Sequence, residues 1–415
     1  MTPISGIEFL VWLLIAAAII AMLAARLRIP YTVCLVLGGL LLGVLRIPIL
    51  SPLQPGHRPD WLTPDVILIL FLPALVFEGS VKLDVRELLR NSVPLLLLAN
   101  AGVLLGALVT GYLLHWLIGL PVLIALLFGC IISATDPISV LAIFKDLRVD
   151  KRLSLIMEGE SLLNDGTAVV LFGIVFGAVI AEKWSVPKGI GQYFLAVAGG
   201  ALLGSALGYM ASRITERVDD PQIEITLTTI LAYGSYLLAY HLQLSGVIAT
   251  ASAGLMLGSF GAKKGMSVRT LSAMQSFWEY ISFVMNSLVF LLIGLEIHVR
   301  ELFQNWTIVV VAIGAVLLGR ALSVYLLVPL SNRFVEKIPL RWQHLAVWGG
   351  LRGALALALA LSLNSAFPYR EQILNLTFGV VIFSIVIQGL TIKPLVRVLK
   401  LANGDDAFGS NSHGQ

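Results

Sequence analysis

Thirteen runs of predominantly apolar residues, most of them close to the ~20 that cross a bilayer as a helix, fill the chain almost end to end. They read as 6–26, 30–46, 63–81, 92–117, 120–146, 154–181, 191–213, 222–241, 245–260, 273–298, 305–331, 341–364 and 371–397. In hydrocarbon every backbone N–H and C=O must find its partner inside the protein, which leaves helices as the structure for runs of this length. The expectation is an all-α polytopic membrane protein. Composition agrees: 58% of the residues are hydrophobic and 13% are charged, against about 25% charged in a soluble domain. A net charge of +4 is no nucleic-acid signature here, because the Lys and Arg lie in short loops and not on one polar face. Cys34 and Cys130 fall inside apolar runs and read as buried free thiols.

The basic residues orient the chain. With the N-terminus outside, 20 of the 28 Lys and Arg fall on cytoplasmic loops or span ends and 6 on outer ones; Arg320 and Arg352 lie within spans. The first run lacks a basic leader and is followed by Arg26-Leu27-Arg28, so it reads as an anchored span and not a cleaved signal. The expected topology is a multi-pass cell-membrane protein with an outside N-terminus and a cytoplasmic C-terminus.

Thirteen spans divide as six, one and six, and the two sets enter the membrane from opposite sides, as in the inverted repeats of secondary transporters. The fifth span of the first set is interrupted at Thr135-Asp136-Pro137, where proline removes a backbone donor and clashes with the preceding turn. The fifth span of the second set carries Gly349-Gly350-Leu351-Arg352-Gly353. Interruptions at corresponding positions of two halves point to a transport site.

Charge at membrane depth supplies the chemistry. Asp136 and Asp165 each sit near the middle of a span, where an ionised group costs roughly 3 to 15 kcal/mol depending on its rescue by water and neighbours. On the span 154–181, Ser161 and Asp165 are four apart and share a helix face; Glu160 and Asn164 share a neighbouring one. Hydroxyl, carboxylate and freed carbonyl oxygens suit a hard monovalent cation that must be released again. The plainer alternative for Ser161 and Asn164 is helix-to-helix hydrogen bonding. A buried arginine needs a partner, and Glu160 is the best one for Arg320. That division makes Glu160 and Arg320 structural and leaves Asp136 and Asp165 to handle ions.

The motifs Thr135-Asp136-Pro137, Glu160-Ser161-Leu162-Leu163-Asn164-Asp165, Phe290-Leu291-Leu292-Ile293-Gly294-Leu295-Glu296 and Gly349-Gly350-Leu351-Arg352-Gly353-Ala354 occur in one order on the expected spans. Together they resemble the NhaP-type sodium/proton antiporters, prokaryotic relatives of the animal and plant exchangers, over roughly residues 6–397. The resemblance implies a homodimer whose protomers carry two crossed, broken helices in a core domain and a separate dimerisation domain. It implies that Asp165 is the essential ion- and proton-binding carboxylate, with Asp136, Thr135, Ser161 and Asn164 at ion-site positions. Sodium would then sit at Asp165, Asp136, Thr135 and Ser161. The Glu160–Arg320 pair maps onto an interhelical ion pair, Pro137, Gly349, Gly350 and Arg352 support the broken helices, and Glu78 matches an acidic position close to the ion in some members.

The expected organisation is one exchanger domain over 1–400, with a core at 92–181 and 305–397, a dimerisation scaffold at 6–81 and 191–298, and a short polar tail at 401–415. The expected activity is exchange of Na+, with Li+ or K+ as further candidates, for H+. The single aspartate in Asn164-Asp165 points to electroneutral one-for-one exchange, because one exchanging carboxylate holds either one cation or one proton. No enzyme activity and no cofactor beyond the transported ions are expected; the partners are monovalent cations, protons, membrane lipids and a second copy of the chain, with no nucleic acid. Two other readings compete. A passive cation channel or ion sensor lacks a multi-subunit filter loop or a signalling domain, and an intramembrane aspartyl protease lacks a Gly-x-Gly-Asp loop. The roles of Glu279 and Glu296 stay open at this stage.

Overall fold

The computed structural model describes residues 3–27, 29–44, 64–181, 185–261, 265–296, 299–364 and 366–402. Among them the secondary structure is entirely helical. The expected flanking charges Arg28, Arg46, Arg58, Lys183, Lys263 and Lys264, the histidines His57, His298 and His413, and the tail from 403 onward lie outside the described residues.

Helix occupies each expected stretch. The order is α1 (Pro3–Leu27), α2 (Tyr31–Val44), α3 (Pro64–Lys82), α4 (Val85–Arg90), α5 (Ser92–Leu96), α6 (Val103–Ile118), α7 (Val122–Ile131), α8 (Ile138–Asp146), α9 (Lys151–Ala181) and α10 (Val186–Thr215). There follow α11 (Pro221–His241), α12 (Gly246–Met256), α13 (Val268–Leu295), α14 (Val299–Gln304), α15 (Trp306–Ser331), α16 (Leu340–Trp348), α17 (Ala354–Leu361), α18 (Arg370–Ile382) and α19 (Gly389–Val398). Among the described residues eight helical segments are long and apolar enough to cross a membrane unaided; Tyr31–Val44, Val122–Ile131 and Gly246–Gly261 are shorter apolar helices.

Local chemistry sets the ends. Asp220 caps α11 by accepting from the N–H groups of Gln222 and Ile223 at 2.8 and 3.1 Å, with Pro221 in the first turn. Ser245 and Ser267 cap α12 and α13 in the same manner. Gly119, with φ of 73°, closes α6 in the left-handed conformation that only glycine adopts without strain. Leu97–Gly102, Leu257–Gly261 and Phe383–Gln388 widen into π-helical turns, a distortion that hydropathy does not betray.

The helices before residue 82 pack chiefly against those of 186–295: α2 on α13, and α3 on α12 and α13. The segments of 92–181 and 306–398 pack chiefly on each other, with α6 between α7 and α15. The glycines Gly200, Gly204 and Gly208 bring α10 against Ser245, Ala249 and Ala253 of α12. Both cysteines are free; Cys130 is buried as expected, while Cys34 is only half-buried.

Candidate functional site

Two helices break at the same place. The chain leaves α7 after Ile131 and re-enters helix at Ile138; it leaves α16 after Trp348 and re-enters at Ala354. Pro137, which has no N–H to offer, stands at the head of the second run, and the carboxylate of Asp136 caps that run by accepting from Ile138 N–H at 3.0 Å. The two unwound segments touch directly: Asp136 N–H donates to the Leu351 carbonyl at 2.8 Å. Gly353 permits that approach, since a Cβ there would lie 2.5 Å from both Cβ and Oδ2 of Asp136.

Unwinding leaves carbonyls without helical partners, and in the membrane each needs one. Arg352 supplies two: its Nη1 donates to the carbonyls of Ser133 at 2.6 Å and Ala134 at 3.2 Å. A buried guanidinium thereby also faces the negative dipole end of α7. The backbone N–H of Arg352 donates to Ser384 Oγ at 2.8 Å; Ser384 donates to Gln388, and Gln388 Nε2 donates to the Trp348 carbonyl at 3.0 Å. The π-helical turn at Phe383–Gln388 thus braces the second break from behind.

Helix α9 presents the two faces read from its spacing. On one, Glu160 is gripped by Arg320, Nη1 to Oε1 and Nη2 to Oε2 at 3.0 Å, and the Arg320 Nε and Nη2 also donate to the Ala346 carbonyl at 3.3 and 3.0 Å. Gly350 lets this side chain pass, because a Cβ there would lie 2.7 Å from Arg320 Nε. Asn164, fully buried, donates through Nδ2 to Thr135 Oγ1 at 2.6 Å and accepts from Thr135 N–H at 3.4 Å. The amide of Asn164 is directed at the unwound chain, the helix-to-helix bonding that the sequence offered beside a ligand role. On the other face Ser161 Oγ donates to the Thr135 carbonyl, and Asp165 makes no hydrogen bond or ion pair among the described residues.

Thr135, Asp136, Ser161 and Asp165 line a cavity of about 300 Å³. Glu78, also expected near the ion, lines it too and pairs with Lys82 Nζ at 2.5 Å. Lys82 reaches on to Glu279 at 2.9 Å, which gives that glutamate a partner on α3. The sequence reading missed Glu158, which lines the same cavity. It stands seven residues before Asp165, two helical turns or about 10 Å along one face, so extending the Ser161–Asp165 spacing backwards finds it. Four carboxylates and one ammonium therefore face the cavity, a lining that, when ionised, favours small cations over anions.

The pattern of the family described as sodium/hydrogen exchanger, transmembrane, matches residues 13–398. The chain is 42% identical over 390 residues to the Na(+)/H(+) antiporter NhaG of Bacillus atrophaeus, covering 93% of this chain and 73% of that protein. It is 40% identical over 400 residues to the Na(+)/H(+) antiporter NhaH of Halobacillus aidingensis, covering 95% and 98%. The fold matches that of the sodium proton antiporter MjNhaP1 from Methanocaldococcus jannaschii at pH 8, with a TM-score of 0.77 at 22% identity over 97% of this chain and all of that one.

Proposed function

Because the chain belongs to the sodium/hydrogen exchanger family, we propose that it exchanges Na+ for H+ across the membrane by competition of the two ions for Asp165. The observation that carries this reading is the unpaired carboxylate of Asp165 in a cavity it shares with Asp136, Thr135 and Ser161, at the crossing of two broken helices. Oxygen atoms from two carboxylates, a hydroxyl and unwound backbone offer a small cation a replacement for part of its hydration shell. A proton on Asp165 removes the charge that holds the cation, so the two loads exclude each other. Each load adds one positive charge, and exchange is one for one and electroneutral.

The other residues hold this geometry. Glu160–Arg320 and Arg352 lock the two breaks, Asn164 fixes Thr135, and Glu78 stands beside the ion path. In this reading the core of 92–181 and 305–397 moves against a scaffold of 6–81 and 191–298, through which two copies of the chain associate. The cavity is lined by Lys82 at the end of α3 and Glu158 near the start of α9. The distribution of basic residues assigns both ends to the cytoplasmic side, so the site as built faces the cytoplasm.

The test is Asp165→Asn in proteoliposomes. Exchange is lost while the protein stays folded, with thermal stability equal or higher because a buried charge has been removed. Substantial sodium-driven proton movement by a well-folded variant would refute the assignment. Sodium, lithium and potassium supplied in turn then establish the cation preference, and a potassium–valinomycin voltage clamp checks the one-for-one stoichiometry.

A further inference from the structure

The side chain of Lys82 enters the transport cavity already carrying the charge of a transported ion. Its ammonium lies 2.5 Å from Glu78 and 2.9 Å from Glu279, on the wall that also presents Glu158, Asp136 and Asp165. Glu78 and Lys82 are four apart on α3, the spacing that sets side chains one above the other. Glu279 reaches across from α13 and anchors the outer side of the ammonium, and α3 and α13 pack on one another. Glu158 faces this group with no hydrogen bond or ion pair of its own among the described residues.

We propose that Lys82 is an internal competitor for Glu78: its ammonium occupies a carboxylate that the transported cation would otherwise take as a ligand, and so weakens cation binding enough for release. This inference rests on the exchange reading above. A primary ammonium and a monovalent metal ion want the same partner, a carboxylate oxygen in partly hydrated surroundings. With Lys82 on Glu78, the cation entering the cavity meets one fewer free carboxylate. A carrier needs binding strong enough to load and weak enough to unload, and a cavity with four free carboxylates would err toward trapping. The second anchor at Glu279 keeps the ammonium close, so that Glu78 is reoccupied as soon as the cation leaves.

The sodium dependence of exchange in proteoliposomes decides the matter, measured at fixed pH for the wild type and for K82Q, E78Q, the double variant K82Q/E78Q, and E279Q. For K82Q the apparent KM for sodium falls on the order of tenfold, the effect of one unit charge at close range in a medium of intermediate dielectric, and the maximal rate falls with it. E78Q removes a carboxylate from the cavity, leaves the ammonium to Glu279 alone and raises KM. The double variant returns near the wild-type KM, and E279Q, which keeps Lys82 on Glu78, does not lower it. A K82Q protein whose KM equals or exceeds that of the wild type overturns the proposal, as does a lowered KM that persists in the double variant. Should K82Q fail to fold, K82C modified with a 2-aminoethyl thiosulfonate regains the ammonium and the higher KM, whereas a neutral methyl thiosulfonate leaves KM low; identical values for the two adducts overturn the proposal. Wild-type protein treated with the same reagents controls for half-buried Cys34 and buried Cys130. Absence of exchange in the wild type would instead refute the exchange reading itself.

Discussion

Arg320 meets Glu160 end to end, both guanidinium nitrogens on both carboxylate oxygens, with side chains 8% and 3% exposed. The pair joins α15 to α9, and through the Ala346 carbonyl it also holds the end of α16 just before its break. Removing one member strands the other charge at membrane depth. Glu160→Ala and Arg320→Ala should each destabilise the protein by about 3–5 kcal/mol. The double variant should lose less than the sum, because the two share one interaction. Thermal unfolding in detergent across the four proteins gives the coupling, and simple additivity would mean that the pair contributes nothing as a pair.

Gly353 is where the second broken helix passes the carboxylate-bearing turn of the first. Gly353→Ala places a methyl group 2.5 Å from Asp136 Oδ2, so Asp136 must shift. Exchange should fall at least tenfold, with a stability loss of about 1–3 kcal/mol, the usual cost of overpacking. Gly173 is the control: it lies on α9 with nothing within 4 Å of the position a Cβ would take. Gly173→Ala should leave exchange intact and add up to ~1 kcal/mol through helix propensity. Equal damage from both substitutions would detach the Gly353 effect from Asp136.

These two relationships differ in how far they could be read from the chain. The Glu160–Arg320 pair was legible because charge inside an apolar span is expensive enough to require a partner, and each span offered few candidates. Asp136 and Asp165 were legible for the same reason, and the Ser161–Asp165 and Glu160–Asn164 faces followed from helical spacing alone. The partner of Arg352 was not, because carbonyls released by an unwound turn leave no trace in side-chain identity. The place of Lys82 was hidden too: at the end of α3 it looks like any basic flank, and only the approach of α13 brings Glu279 to it. The π-helical turn that braces Arg352 through Ser384 has no hydropathic signature either. Asn164 left two roles open in the sequence, ion ligand and helix-to-helix bond, and only the structure shows its amide bonded to Thr135.

Glu224 sits in the first turn of α11, completely buried, with neither carboxylate oxygen hydrogen-bonded among the described residues. A buried polar group without partners costs about 1–3 kcal/mol. Glu224→Gln removes the charge at nearly constant volume, and thermal stability should hold or rise by up to that amount. Exchange should be unchanged, because Glu224 does not line the transport cavity. A marked loss of stability would show that the carboxylate has a partner that stabilises the native protein.

The proposed competition at Asp165 predicts the shape of the pH response. At low pH the proton occupies the carboxylate and excludes the cation; at high pH the cation leaves and no proton returns to complete the cycle. The rate of exchange should therefore rise and fall with pH in a bell. Cation and proton binding are linked at one site, and linkage is reciprocal: raising sodium must displace the proton at a higher proton concentration. The acidic limb should move to lower pH as sodium increases, while the alkaline limb responds less. Proton movement in proteoliposomes, followed over pH at several sodium concentrations, tests this directly. An acidic limb that stays fixed across a hundredfold range of sodium would mean that the proton acts at another group, with Asp136 and Glu158 in the same cavity as the next to replace.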